Sequence, residues 1–220
     1  MEYLEKIIKE RRSVSQFLDR AVAREVIDEL IELSSYAPSS CNTQPWFFVV
    51  FESEEAKEKL REYIELGYQK TKEEFRKKNR LLSGLFSRAL DSFAKYGQFD
   101  AAPMYILVFV RPYDKAGLAQ AIKISKNKMI SEIAEESVKT SVAMAMQNFL
   151  LAAHAKGLGT RVKDGIKFFV SHAELRDEFY EEFSIAKEYG LLSGIQLGYP
   201  LDGSKLAGKR LSLDKIRKFL

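Results

Sequence analysis

The chain has 220 residues, of which 46% are hydrophobic and 30% charged, and a formal net charge of +4. This length and apolar content allow one domain with a substantial core, and so mild a positive charge does not argue for a nucleic-acid partner. The single cysteine, Cys41, excludes an intramolecular disulfide and a cysteine-built zinc site, and with only two histidines beside it a structural metal has little to hold it.

The N-terminus is charged and lacks the apolar core of a signal peptide. The longest apolar runs, such as 104–110, reach about seven residues, far short of a membrane span. The expected location is therefore cytoplasmic, with no membrane contact. Residues 2–12 read as a helix leading into Arg11-Arg12. Residues 22–37 read as an amphipathic helix carrying Val22, Val26, Ile27, Leu30 and Ile31 on one face. Pro38 ends it, because the residue before proline is pushed out of the helical region. A polar run then lies between two prolines, Pro38-Ser39-Ser40-Cys41-Asn42-Thr43-Gln44-Pro45, followed by Trp46. Residues 46–51 form a continuous apolar run and are expected to be a buried strand beginning at a core Trp46.

A Ser53-x-Glu55 start predicts a helix to about residue 66. Residues 67–100 carry Lys70, Lys72, Arg76, Lys77, Lys78 and Arg80, then Leu81, Leu82, Leu85 and Phe86. They read as a helical, partly exposed excursion with its basic cluster as a solvated face. Phe86, Phe93, Tyr96 and Phe99 suit a lid and a satellite core equally well. Residues 104–111, after Pro103, form a second buried strand. A long helix is expected over 131–156, with Ile133, Val138, Val142, Phe149 and Leu150 among its apolar positions, and His154 reads as a structural residue on it. Gly157 ends that helix in the usual place past a C-cap. Residues 171–183 look like a helix started by a Ser171/Glu174 capping box. Residues 191–199 form a third strand, and the basic tail from about 200 to 220 holds one short helix. Strand and helix do not alternate regularly, so the expected class is α+β, a mixed layout rather than a doubly wound sheet. Nothing marks a linker or a repeat, and residues 1–220 read as one domain.

Several chemistries lack their signature. The chain has no P-loop, no Gly-x-Ser-x-Gly elbow and no His-Glu-x-x-His. Gly157-Leu158-Gly159 supplies only two of the dinucleotide-binding glycines, and it follows a helix where that fingerprint follows a strand. What stands out is the polar loop together with Arg11-Arg12-Ser13-Val14. The loop offers hydroxyls, amides and backbone N–H groups suited to a flat polar ligand, although the same residues also favour plain turns. The arginines offer fixed charge and donors suited to a phosphate, although they could equally end a solvated helix. Phosphate plus flat heterocycle points to a nucleotide-type cofactor.

Arg11-Arg12-Ser13-Val14, Ala37 to Trp46, Ala152 to Thr160, Gly198-Tyr199-Pro200 and Lys209-Arg210, in that order, resemble the nitroreductase family of FMN-dependent oxidoreductases. The resemblance implies an intertwined homodimer with a central, mostly antiparallel sheet flanked by helices and FMN at each interface site. It implies that Arg11 and Arg12 lie against the FMN phosphate and ribityl chain, with Ser13 and Ser15 beside them. It places Pro38, Ser39, Ser40, Asn42 and Gln44 on the flavin from the other subunit. It puts the backbone of Val162, Lys163, Asp164 and Gly165 at the ring, and Lys209 and Arg210 at the phosphate. It assigns no protein acid or base, because hydride passes from NADH or NADPH through flavin N5 to a nitroaromatic, quinone or related small acceptor in ping-pong order. Dehydrogenation, reductive dehalogenation and FMN storage remain the alternatives. Two departures bear on specificity. Ser15 stands where family members often carry a basic residue, and Arg161-Val162-Lys163-Asp164 is more charged than the usual run.

Overall fold

The computed structural model describes residues 2–78, 102–112, 127–205 and 208–219, together with the single positions 84, 88, 91 and 124. Among the described residues four strands form one sheet: β1 (Trp46–Phe51), β2 (Met104–Val110), β3 (Gly159–Lys163) and β4 (Gly190–Gly198). Their order is β1-β2-β4-β3, and every pairing is antiparallel. The helices with described bounds are α1 (Glu2–Glu10), α2 (Arg24–Ser35), α3 (Glu54–Lys78), α4 (Lys128–Ala155), α5 (Lys167–Val170), α6 (Ala173–Glu182) and α7 (Leu213–Ile216).

The central strand explains the layering. All seven residues of β2 are buried, so its apolar run needs cover on both faces. Ile106 and Val108 point to one side, where Ile27 and Leu30 of α2 and Val142 and Phe149 of α4 complete a core. Tyr105, Leu107 and Phe109 point to the other, against Leu60 of α3, Phe169 of α5 and Phe179 of α6. The side-chain period of two thus splits one strand between two cores, and the fold is helix, sheet, helix. The expected α+β class, with an antiparallel sheet flanked by helices, is what the chain adopts.

Several boundaries differ from the expectation, each for a local reason. α4 starts three residues before the expected position because Asn127 caps it, its side chain accepting from Ile130 N at 3.3 Å. α3 does not stop near 66 but runs to Lys78. Gly67 sits inside it, where a Cβ would come within 2.4 Å of the Phe169 backbone. That glycine is a close approach between α3 and α5 rather than a helix end. The capping box at Ser171 does not form: the Ser171 hydroxyl donates to Phe168 O at 2.7 Å, and α6 begins at Ala173 after His172. Glu174 instead pairs with Lys70 of α3 at 3.3 Å. β3 is a strand the sequence pattern does not announce. Of the expected 67–100 excursion, residues 67–78 belong to α3, and Phe86, Phe93, Tyr96 and Phe99 lie outside the described residues.

Candidate functional site

The chain leaves α1 and runs extended along the open edge of β3. Val14 N donates to Thr160 O at 3.0 Å, and Ser13 bridges Thr160 in parallel. On its other side this segment meets the C-terminal stretch, where Val14 bridges Lys205. The Ser15 N–H and hydroxyl both donate to Ser204 O, at 3.0 and 2.9 Å, so both donors of Ser15 are engaged by backbone. The approach to β3 is close enough that a Cβ on Gly159 would lie 2.7 Å from Val14 Cγ2. The second glycine of Gly157-Leu158-Gly159 therefore seats the Arg-Arg-Ser-Val segment.

That packing gathers positive charge. Arg11, Arg12, His154 and Lys205 line one cavity of about 70 Å³, floored by the Gly157–Thr160 turn. The volume suits a phosphate-sized group. Burial holds the Arg11 guanidinium below its ordinary value, and repulsion from Arg210 and then Arg12 lowers it further. Burial likewise holds the His154 imidazole low, helped by Lys205, Arg11 and Arg12 and opposed by Glu10. Like charges brought together this way are stabilised by a bound anion. Lys205 and His154 are site residues that sequence reasoning missed. His154 had no local signal, and Lys205 is placed only by its bridge to Val14. Lys209 is exposed in the same tail.

The polar loop is tightly built. Cys41, Asn42 and Gln44 all have positive φ, at 51°, 53° and 45°. Non-glycine residues in this region cost of order 1–3 kcal/mol each and persist only where surroundings impose them. Here Gln44 N donates to Ser39 Oγ at 3.1 Å, and Gln44 Nε2 donates to Asn42 Oδ1 at 3.1 Å. Ser40 N donates to Ser141 Oγ of α4 at 3.4 Å. Arg111, just past β2, closes the loop. Its N–H donates to Pro45 O at 2.7 Å and its Nη2 to Gln44 O at 2.6 Å. Arg111 is a third residue that sequence reading passed over, because only the pairing of β1 with β2 brings it to the loop. Arg111→Ala is expected to lower stability by about 1 kcal/mol, the net worth of one such bond at a partly exposed site. It should also raise hydrogen exchange across 39–44 while sparing β2, and protection unchanged in that loop would refute the clasp. Pro38, Asn42 and Gln44 are exposed, and Ser39 and Ser40 are half-buried.

The third element follows Thr160. Because Thr160 O faces away from β4 to accept from Val14, the strand alternation turns the Val162 N–H the same way. The Val162 side chain is 40% exposed and the Lys163 residue 3%. Asp164 and Gly165 lie in a short 3₁₀ turn, where Asp164 Oδ1 accepts from Ser193 Oγ at 3.0 Å and pairs with Lys167 at 3.2 Å. The structure thus brings Arg11, Arg12, Val14 and the start of β3 together around the cavity, with Ser13 bridged to Thr160 beside it. The polar loop meets α4 at Ser141, while the cavity meets it at His154. At about 1.5 Å of rise per residue, these points stand about 20 Å apart along the helix axis.

Residues 8–199 match the model of the Nitroreductase family. The chain belongs to the nitroreductase family. Among its relatives is an iodotyrosine deiodinase from Haliscomenobacter hydrossis, 33% identical over 151 residues, which are 67% of this chain and 60% of that protein. The chain thus spans less than two thirds of that relative's length. A BluB-like flavoprotein from Clostridium difficile 630 shares its fold with a TM-score of 0.80 and 26% identity, covering 99% of this nitroreductase-family chain and 98% of the other. A nitroreductase from Exiguobacterium sibiricum, solved in complex with FMN, has a TM-score of 0.68 at 19% identity, with 99% and 97% covered. Among the described residues of this family member, no cluster of His, Cys, Asp or Glu could hold a metal ion, and no helix is long and apolar enough to cross a membrane.

Proposed function

We propose that the chain is an FMN-dependent oxidoreductase acting as a homodimer, with NADH or NADPH as hydride donor and a nitroaromatic, quinone or related small molecule as acceptor. The observation that carries this reading is the cationic cavity at Arg11, Arg12 and Lys205, beside an outward-facing Val162 N–H on the same strand edge. The cavity fits a phosphate monoester, and the edge offers a donor to a flat ring. When bound, FMN would supply the redox chemistry by accepting hydride at N5 and passing it on in a separate half-reaction.

The chain's own residues then have distinct tasks. Arg11 and Arg12 neutralise the phosphate, with Arg210 and Lys209 arriving from the C-terminal tail, and Ser13 sits between them and β3. The backbone of Val162 to Gly165 faces the ring. Pro38, Ser39, Ser40, Asn42 and Gln44 complete the site from the second subunit. The 20 Å between loop and cavity within one protomer supports that sharing, since a second α4 running antiparallel would bring the partner's loop beside this cavity. A surface for the second copy is available. Tyr3, Leu4 and Ile8 of α1, Ile130 and Ile133 of α4, and Leu213, Ile216 and Phe219 of the tail are all exposed apolar side chains. Exposed apolar side chains on these three segments are what a second copy would cover.

A second reading, reductive dehalogenation of a halogenated aromatic, is favoured by the deiodinase relative at 33% identity. One experiment tests both. The purified protein is loaded with FMN and reduced anaerobically with NADH, NADPH or dithionite, then mixed with a quinone, a nitroaromatic or iodotyrosine. Reduction by a nicotinamide and reoxidation by the first two acceptors supports the principal reading. Reduction only by dithionite, with iodide release, supports the second. A protein that binds no FMN refutes both.

A further inference from the structure

We infer that His154 is a ligand of the phosphate monoester held at this cavity and takes up a proton as that group binds. The place rests on geometry and the identity of the ligand on the FMN reading above. His154 faces the same cavity as Arg11, Arg12 and Lys205 and stands in the last turn of α4, where the helix carbonyls favour a cation. The charged groups around it are Glu10, Arg11 and Arg12 from α1 and its exit, and Lys205 from the C-terminal stretch. Of these charged groups, only Glu10 favours its protonated form. Burial and the three cations keep the imidazole below its ordinary value, so in the empty cavity it is neutral near pH 7.

A phosphate monoester brings about −1.5 to −2 charges at that pH. Placed among these residues it reverses the local field, and the imidazolium becomes the favoured form. The direction of the linkage follows. A group whose pKa rises on binding strengthens binding below its bound-state pKa. The gain fades as pH rises through that value and levels off below the free-state pKa. Its size is about tenfold for each unit between the two values.

The test compares FMN affinity of the wild type and His154→Gln between pH 5.5 and 8.5, read by quenching of flavin fluorescence. The second ionisation of the phosphate, near about pH 6, acts on both proteins alike, so the ratio of their dissociation constants isolates the histidine. That ratio is expected to climb about tenfold or more as pH falls from 8 to 6, and to stay flat with riboflavin, which lacks the phosphate. A ratio flat with FMN overturns the inference. The second measurement does not need the variant. The chain has two histidines, so proton NMR follows His154 directly, with His172, held at Thr71 and Glu74, as reference. Its pKa is expected below 6.5 in the flavin-free protein and higher by a unit or more with FMN bound. Inorganic phosphate separates the two claims. If FMN does not bind but phosphate still raises the His154 pKa, the FMN reading fails and the proton-coupled anion site stands. If neither ligand moves it, the inference fails.

Discussion

Phe179→Ala is expected to destabilise the protein by about 3–5 kcal/mol, the usual cost of deleting a fully buried aromatic side chain. Phe179 is completely buried on α6. Its ring lies 4.6 Å from Phe169, 4.7 Å from Phe183 and 5.2 Å edge-on to Tyr63, with Phe51 of β1 at 6.2 Å. These partners come from the sheet, α3, α5 and the end of α6, so no single element can relax into the space. A domain stable by 5–15 kcal/mol would lose a large fraction of its margin. Urea unfolding at fixed protein concentration measures this through the midpoint and the slope. Phe179→Leu should lose clearly less, because it refills part of the volume. A loss under 1 kcal/mol for the alanine variant would show that this layer repacks freely. The cavity with Arg11 and His154 lies by the C-terminal end of α4, the helix that packs on the opposite face of the sheet. FMN uptake by the fraction still folded should therefore be unimpaired, which separates a stability role from a site role.

The sequence reveals what is periodic and local. β1 and β2 are bounded within a residue because their apolar runs are unbroken, and α4 is evident from its apolar spacing. β3 is hidden because it is a five-residue edge strand, Gly-Thr-Arg-Val-Lys, whose charges suit an edge but not a strand pattern. The helix expected to end near residue 66 continues through Gly67 because of a neighbour across space that the sequence does not show. Once Phe169 is opposite, the missing Cβ is the reason the helix can continue there. The same limit governs the site. Arg11, Arg12 and the polar loop carry visible chemistry, since fixed charge and clustered small polar residues are rare in a core. Lys205 and Arg111 look like ordinary surface cations until a β-bridge to Val14 and a backbone hydrogen bond to Pro45 bring them in. His154 looks structural because its neighbours in sequence are alanines, while the groups that set its charge state come from α1 and the C-terminal stretch.

Arg11→Ala is expected to weaken FMN binding by about 1.5–3 kcal/mol, roughly 10- to 150-fold in Kd, the range for a hydrogen bond to a charged group. The same substitution should leave the FMN-free protein as stable as before, or slightly more so. The reason is the sign of the field at this residue. Burial disfavours the Arg11 charge, and the charged neighbours that act on it, Arg210 and Arg12, repel it. An isolated protein gains nothing from this arrangement, and it is sensible only if an anion completes it. Thermal unfolding with and without FMN reads both halves at once, because a ligand bound only by the native state raises the midpoint according to its affinity. The wild type should show a larger FMN-induced rise than Arg11→Ala, with flavin-free midpoints equal or reversed in order. Arg11→Lys should fall between them, since it restores charge but not the planar fork that holds two phosphate oxygens. Equal FMN-induced shifts in all three proteins would remove Arg11 from the phosphate site. A large drop in the flavin-free midpoint of Arg11→Ala would show instead that the guanidinium holds the fold, and the crowding of positive charge around it would need a different explanation.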